Sequence, residues 1–217
     1  MTSSAETMAR RRAHMVEHDL VRRGIRDGAV LAVMAEVPRE AFLPPALADH
    51  AYDDSALPID AGQTISQPYI VAAMAEAAEV HTEDRVLEVG AGSGYGAAVL
   101  RGLAEAVVTV ERHPVLAEAA AANLAAVGAT DVVVVEGDGS LGWSELAPYD
   151  VIVVTAAGPR IPPSLVAQLA DGGRLVMPVG SRNGAQQLIR VRRRGLELVE
   201  EDLGPVAFVP LVGDEGW

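Results

Sequence analysis

The 217-residue sequence contains no cysteine. Disulfides, thiolate metal sites, iron–sulfur ligation and cysteine nucleophiles are all excluded by that single absence. Lysine is missing as well, since all 17 basic residues are arginine. A lysine Schiff base, a lysine general base and the lysine of a phosphate-binding P-loop are therefore ruled out. Positive charge is scarce overall: 30 acidic residues leave a net charge of −13. Such a chain repels phosphate backbones, so no nucleic-acid partner is expected. No apolar run approaches the roughly 18 residues of a membrane-spanning helix. Arg10, Arg11 and Arg12 are followed by His14, Glu17, His18 and Asp19, where a signal peptide needs an apolar stretch. The expectation is a cytoplasmic, monomeric protein with no membrane partner.

What is present points to a globular domain. Half of the residues are hydrophobic and 22% are charged, which suits one full-sized core rather than disorder. Apolar residues from about Arg11 to Met34 recur at helical spacing, interrupted near Gly24 and Gly28, and predict two helices with a turn. Asp53 to Gln67 has no period but is not low-complexity, which marks a functional segment rather than a linker. A helix is expected over Pro68–Val80. Strands at Arg85–Val89, Val107–Val110, Val132–Val135, Val151–Val154 and Arg174–Met177 then alternate with helices at about 96–103, Pro114–Val127 and Pro162–Leu169. Short apolar runs alternating with helices predict a parallel sheet covered on both faces. Gln186–Arg194 and Leu196–Leu203, joined at Gly195, predict an antiparallel pair. The fold class is α/β, a three-layer sandwich with an N-terminal helical extension.

One constellation carries chemistry. The strand ending Glu88-Val89 runs into Gly90-Ala91-Gly92-Ser93-Gly94-Tyr95, and glycines at such a turn let backbone amides approach a ligand. The dinucleotide fingerprint needs a third glycine where Tyr95 stands. Glu88 disfavours a pyrophosphate by charge and suits a cationic ligand such as S-adenosylmethionine. Glu111 ends the next strand, about 20 residues on, where a carboxylate accepts from ribose hydroxyls. Bland alternatives stand beside each: a surface charge at Glu88, a Glu111–Arg112 pair, and an ordinary Asp-Gly turn at Gly137-Asp138-Gly139.

With Gln63-Thr64-Ile65-Ser66-Gln67-Pro68, the glycine block, Gly137-Asp138-Gly139, Tyr149 to Ala157 and Phe208-Val209-Pro210-Leu211, the chain resembles the protein-L-isoaspartate (D-aspartate) O-methyltransferases from about Met15 onward. The resemblance implies a class I, Rossmann-like methyltransferase with a seven-stranded mixed sheet. It implies one domain over 1–217: helices and a covering loop in 1–80, the cofactor core in 81–194, and a C-terminal strand and substrate-side tail in 195–217. The implied reaction moves a methyl group from S-adenosylmethionine to the α-carboxylate of isoaspartyl residues in damaged proteins, leaving S-adenosylhomocysteine. Ser66 takes the family's active-site position. Cofactor contacts fall on Thr64, Ile65, Glu88, Gly90, Gly92, Ser93, Glu111, Arg112, Asp138 and Gly139, with ribose on Glu111 and adenine on Asp138. Substrate contacts fall on Ser66, Val206, Phe208 and Leu211, the last three on a strand around Val206–Leu211. No metal is implied.

That chemistry agrees with the composition. A carboxylate nucleophile is already ionised at neutral pH, and a sulfonium leaving group needs no acid. Ser66 is expected to orient the carboxylate; its alternative is a helix N-cap ahead of Pro68. Two positions depart from the family pattern: Gly96, where many relatives have Gln, which would loosen helix packing, and Tyr69, where some have His. A nicotinamide-dependent oxidoreductase, a catalytically silent binding module and an aspartyl methyltransferase tailoring one ribosomal peptide are the alternatives. Elsewhere, His14 and His18 read as a solvated helix face. Arg190, Arg192, Arg193 and Arg194 read as edge protection, with acidic-peptide docking as the alternative, and Trp143 and Trp217 as packing anchors.

Overall fold

A computed structural model describes residues 4–182 and 184–217. The chain opens with α1 (Ser4–Met15), which runs through a π-helical turn at Val16–Val21, and then α2 (Gly28–Glu36). Asp27 caps α2 by accepting from the Ala29 and Val30 amides at 2.8 and 3.1 Å. Single 3-10 segments follow at Arg39–Phe42 and Pro45–His50. The segment without a period holds a small antiparallel hairpin, β1 (Leu57–Pro58) with β2 (Thr64–Ile65). Pro68 then starts α3 (Pro68–Ala78), a position where its missing amide has no intrahelical partner to lose.

The alternating region contains β3 (Arg85–Val89), α4 (Tyr95–Leu103), β4 (Ala106–Glu111), α5 (Pro114–Ala126), β5 (Val133–Glu136), β6 (Tyr149–Val154) and α6 (Pro163–Gln168). It ends in β7 (Leu169–Gly180), β8 (Gln186–Arg194) and β9 (Glu197–Val206). Seven strands form one mixed sheet in the order β5-β4-β3-β6-β7-β8-β9. The strands from β3 to β7 pair in parallel, and β8 and β9 return antiparallel. Each central strand buries both faces. Val86, Val107, Val151 and Val153 join one core cluster with α3, α4 and Met15, Leu20 and Met34 of the N-terminal helices. Leu87, Val108, Ile152 and Leu175 join the other, beneath Leu165 of α6. That two-sided burial explains the unbroken apolar runs. The chain leaves β3 for β4 and β5 on one side and returns to β6 on the other. Ligands of open α/β sheets sit at this kind of reversal, beyond the strands' carboxyl ends.

Two strand expectations are corrected. β7 begins at Leu169, well before Arg174, because Leu169 pairs with Tyr149 and a register shift then loops out the glycines ahead of Arg174. The expected strand around Val206–Leu211 does not form. β9 stops at Val206, and residues 207–211 continue as a strap joined to the core by a parallel bridge between Ala157 and Pro210. Pro210 has no amide with which to extend a ladder. The Gln186 side chain instead pairs with the Phe208 backbone, accepting from its amide at 2.7 Å and donating to its carbonyl at 3.1 Å.

The arginine cluster does not protect a sheet edge. β8 is an interior strand, and β9 forms the edge. Arg190 and Arg192 both bind the carboxylate of Glu79, which ends α3 in the left-handed conformation, and Arg190 also binds Glu201. Arg193 donates instead to the Leu169 and Gly195 carbonyls at 2.6 and 3.1 Å. Trp143 packs against the second core cluster, as an anchor should. Trp217 is 37% exposed and ties the C-terminus down by donating its Nε1 hydrogen to the Ala157 carbonyl at 3.0 Å.

Candidate active site

A cavity of about 500 Å3 opens beyond the carboxyl ends of β3, β4 and β6. Its floor is the glycine turn. Gly90, Gly92 and Gly94 have φ of 98°, 53° and 90°, a region that side chains disfavour. The turn is tied down from outside itself. The Thr155 hydroxyl bridges the Val89 and Gly90 carbonyls at 3.0 and 2.8 Å, and Asn123 donates to the Ser93 carbonyl at 3.0 Å. Glu111, 5% exposed, accepts from the Gly92 amide on Oε2 and from the His113 amide on Oε1, both at 2.9 Å. Its carboxylate therefore lines the cavity with the loop already docked on it. The Glu111–Arg112 pair of the bland alternative is absent among the described residues; Arg112 is exposed at the rim.

Glu88 is not the surface charge of the bland reading. It is 1% exposed, and one oxygen accepts from the Thr109 hydroxyl at 2.6 Å. Its other oxygen occupies the space that a side chain at position 96 would fill, so Gly96 makes room for the carboxyl rather than loosening a helix. Burial pushes its pKa up to about 8, helped by the charge of Glu111 and opposed by the Thr109 hydrogen bond. No cationic side chain pairs with Glu88 among the described residues. A buried carboxyl at a cavity wall without a protein cation fits a ligand that brings positive charge.

The covering wall comes from β2 and the start of α3. Thr64, Ile65 and Ser66 line the cavity, as do Gln67, Ile70, Val71 and Met74. Gln67 is the N-cap residue of α3 and makes no side-chain cap bond, so the capping alternative for Ser66 is not realised. The strap adds a further part of the wall: Phe208 and Leu211 line the cavity, whereas Val206 pairs with Gln186 in the sheet. Gly90, Gly92, Ser93 and Gly139 line it too.

Asp138 does not line the cavity. Its carboxylate accepts from the Ser140 amide and hydroxyl at 2.9 and 2.7 Å and from the Asp214 amide at 2.7 Å. The last of these bonds tethers the C-terminal tail to the Gly-Asp-Gly turn, next in sequence to the cavity-lining Gly139. Tyr69 likewise stays outside the lining, its ring 3.7 Å beneath the Arg23 guanidinium. Sequence reading missed Thr155, Ile70, Val71, Met74 and Val212, although Thr155 follows a strand end beside the glycine turn. The rings of His14 and His18 lie 3.9 Å apart, and no group of three or more potential metal ligands exists among the described residues.

The family model for protein-L-isoaspartate (D-aspartate) O-methyltransferases matches residues 10–216. The chain belongs to this family. A protein-L-isoaspartate O-methyltransferase 1 of Rhodopseudomonas palustris is 57% identical over 218 residues, covering 100% of this chain and 89% of the relative. A solved protein-L-isoaspartate O-methyltransferase superposes with a TM-score of 0.84 at 31% identity, covering 94% of this chain and 67% of that one. A Plasmodium falciparum structure described as a putative member, in complex with S-adenosyl-L-homocysteine, has the same fold, with a TM-score of 0.81 at 24% identity and coverage of 93% and 98%. Against this family background, one cavity is lined by the glycine turn, Glu88 and Glu111 together with the Ser66 segment and the strap.

Proposed function

We propose that the chain methylates the free α-carboxylate of L-isoaspartyl residues in damaged proteins and peptides, the step that starts their repair through a succinimide. The observation that carries this reading is one cavity lined by the glycine turn with its two glutamates, the Ser66 segment and the strap. When bound, S-adenosylmethionine supplies an electrophilic methyl carbon on a sulfonium and leaves as neutral S-adenosylhomocysteine. Glu111 accepts from the ribose hydroxyls while keeping Gly92 in place, and Glu88 faces the positive charges. Gly90, Gly92, Ser93 and Gly139 offer backbone at close range, with Thr64, Ile65 and Arg112 completing the rim. The carboxylate of the substrate forms the new oxygen–carbon bond as the carbon–sulfur bond breaks, so no proton moves at the reacting atoms. What remains for the protein is to align three atoms and exclude water. Ser66 orients the carboxylate through a hydrogen bond, and Phe208 and Leu211 bound the peptide.

Isoaspartyl peptides should be methylated at least about 100-fold faster than their aspartyl twins, because misplacing a nucleophile by about 1 Å costs that much. Radiolabelled methyl transfer to matched peptide pairs of unrelated sequence reads this directly. Efficient methylation of one aspartyl peptide, with generic isoaspartyl peptides untouched, would overturn repair in favour of peptide tailoring. Ser66→Ala should lower kcat about 10- to 100-fold, the worth of one hydrogen bond to a charged group. Affinity for S-adenosylhomocysteine should stay within about threefold. Wild-type turnover in that variant would remove Ser66 from the active site.

A further inference from the structure

Arg39 is the largest fully buried side chain among the described residues, with 0% exposure. Among the described residues no carboxylate forms an ion pair or hydrogen bond with it. Its guanidinium spends its donors on backbone carbonyls instead: Nη1 on Ala51, and Nη2 on Ser55 at 3.3 Å and Ser66 at 3.0 Å. Nε has no partner. The plane lies 5.8 Å from the ring of Tyr95, a cavity-lining residue. Burial lowers its pKa, and the charges of Asp53 and Asp54 act only from outside hydrogen-bonding contact. Burying an unpaired cation is expensive, and an apolar side chain of similar volume serves core stability better. What the planar fork does that an apolar side chain cannot is hold three carbonyls together from positions 51, 55 and 66.

Those carbonyls are not scattered. They are the two ends and an early point of the segment that carries the β1–β2 hairpin and runs into the Ser66 wall. A second stitch, from Gln67 Nε2 to the Asp54 carbonyl at 3.0 Å, closes the same base. We infer that Arg39 is a positioning residue: by clamping the Ser66 carbonyl to those of Ala51 and Ser55, it sets where the Ser66 hydroxyl stands in the cavity. The inference rests on the proposed role of Ser66 and extends it to a residue with no place in the cavity wall.

The test is a four-corner cycle of wild type, Arg39→Lys, Ser66→Ala and the double variant. The readouts are kcat, the peptide KM, calorimetric affinity for S-adenosylhomocysteine and melting temperature. Lysine keeps the charge and point donors but loses the fork. Arg39→Lys is expected to lower kcat at least about 10-fold, with KM and S-adenosylhomocysteine affinity changed by less than about threefold. In the Ser66→Ala background the same substitution should remove no more than about threefold further, because both act through one hydroxyl. Losses that multiply, a kcat drop that tracks melting temperature or ligand affinity, or no drop at all would overturn the inference. If Ser66→Ala alone keeps wild-type kcat, the reading of Ser66 falls first and the inference with it. Should Arg39→Lys not fold, Arg39→Met removes the buried charge and takes its place in the cycle. Failure of both to fold would make Arg39 a determinant of the fold and likewise overturn the positioning role.

Discussion

Glu111→Ala is expected to weaken S-adenosylhomocysteine binding by about 2–4 kcal/mol, roughly 30- to 1000-fold, while leaving the circular dichroism spectrum unchanged. Two losses combine. The ribose hydroxyls lose a charged acceptor, and the Gly92 and His113 amides, each 2.9 Å from the carboxylate, lose theirs. The second loss frees the glycine turn, so an additional entropic cost falls on binding. Glu111→Gln separates the two, because it keeps one oxygen for Gly92 but turns a donor toward the other side. The amide variant should therefore fall between wild type and Glu111→Ala in calorimetric titrations. Unchanged affinity in the alanine variant, with an intact fold, would defeat the ribose assignment.

The ligand-free protein should lose stability as pH rises from about 5 to 8, and Glu88→Gln should abolish most of that slope. The folded state holds the Glu88 proton up to about pH 8, whereas the unfolded chain releases it near 4.5. Between those values the folded state binds more protons, so raising the pH favours unfolding. The full effect is about 3–5 kcal/mol, complete by the time the pH passes the folded value. Glutamine keeps an oxygen for the Thr109 hydroxyl without the titration. The lowered pKa values of Asp138 and Glu79 work in the opposite sense, with stability lost only below the ordinary carboxylate range, so they do not contribute in this window. Denaturant midpoints at pH 5 and 8 for both proteins check the prediction. A flat profile in the wild type, or the same slope in Glu88→Gln, would refute the buried, protonated carboxyl.

Legibility in the sequence followed physical range. Strands β3 to β6, the glycine turn and the first residue of α3 rest on local rules: two-sided burial, positive φ at three glycines, and a proline at a helix start. Glu88 and Glu111 were legible for the same reason, since each stands at the end of a strand whose direction the local pattern sets, whereas Ser66 lies in a segment without a period and was named through the family resemblance alone. Gly96 was misread because its reason lies across the turn, in the Glu88 carboxyl that fills its empty side-chain space.

By itself, the sequence determined the α/β layering, the position of the glycine turn at a strand end, the acids beside it and a chemistry free of thiols and amines. Tertiary structure alone decided how polar side chains spend their hydrogen bonds. Asp138, in the same Gly-Asp-Gly turn the sequence displays, binds an amide 76 residues away. Arg192 finds Glu79 across 113 residues, and Arg39 finds Ser66 across 27. The strap 207–212 enters the wall through the Ala157 bridge and the Gln186 clasp, not through strand propensity. Backbone conformation answers to neighbours a few residues away, so its rules can be read along the chain. A carboxylate or guanidinium accepts whichever donor or acceptor packing brings near, and that choice exists only once the layers have closed.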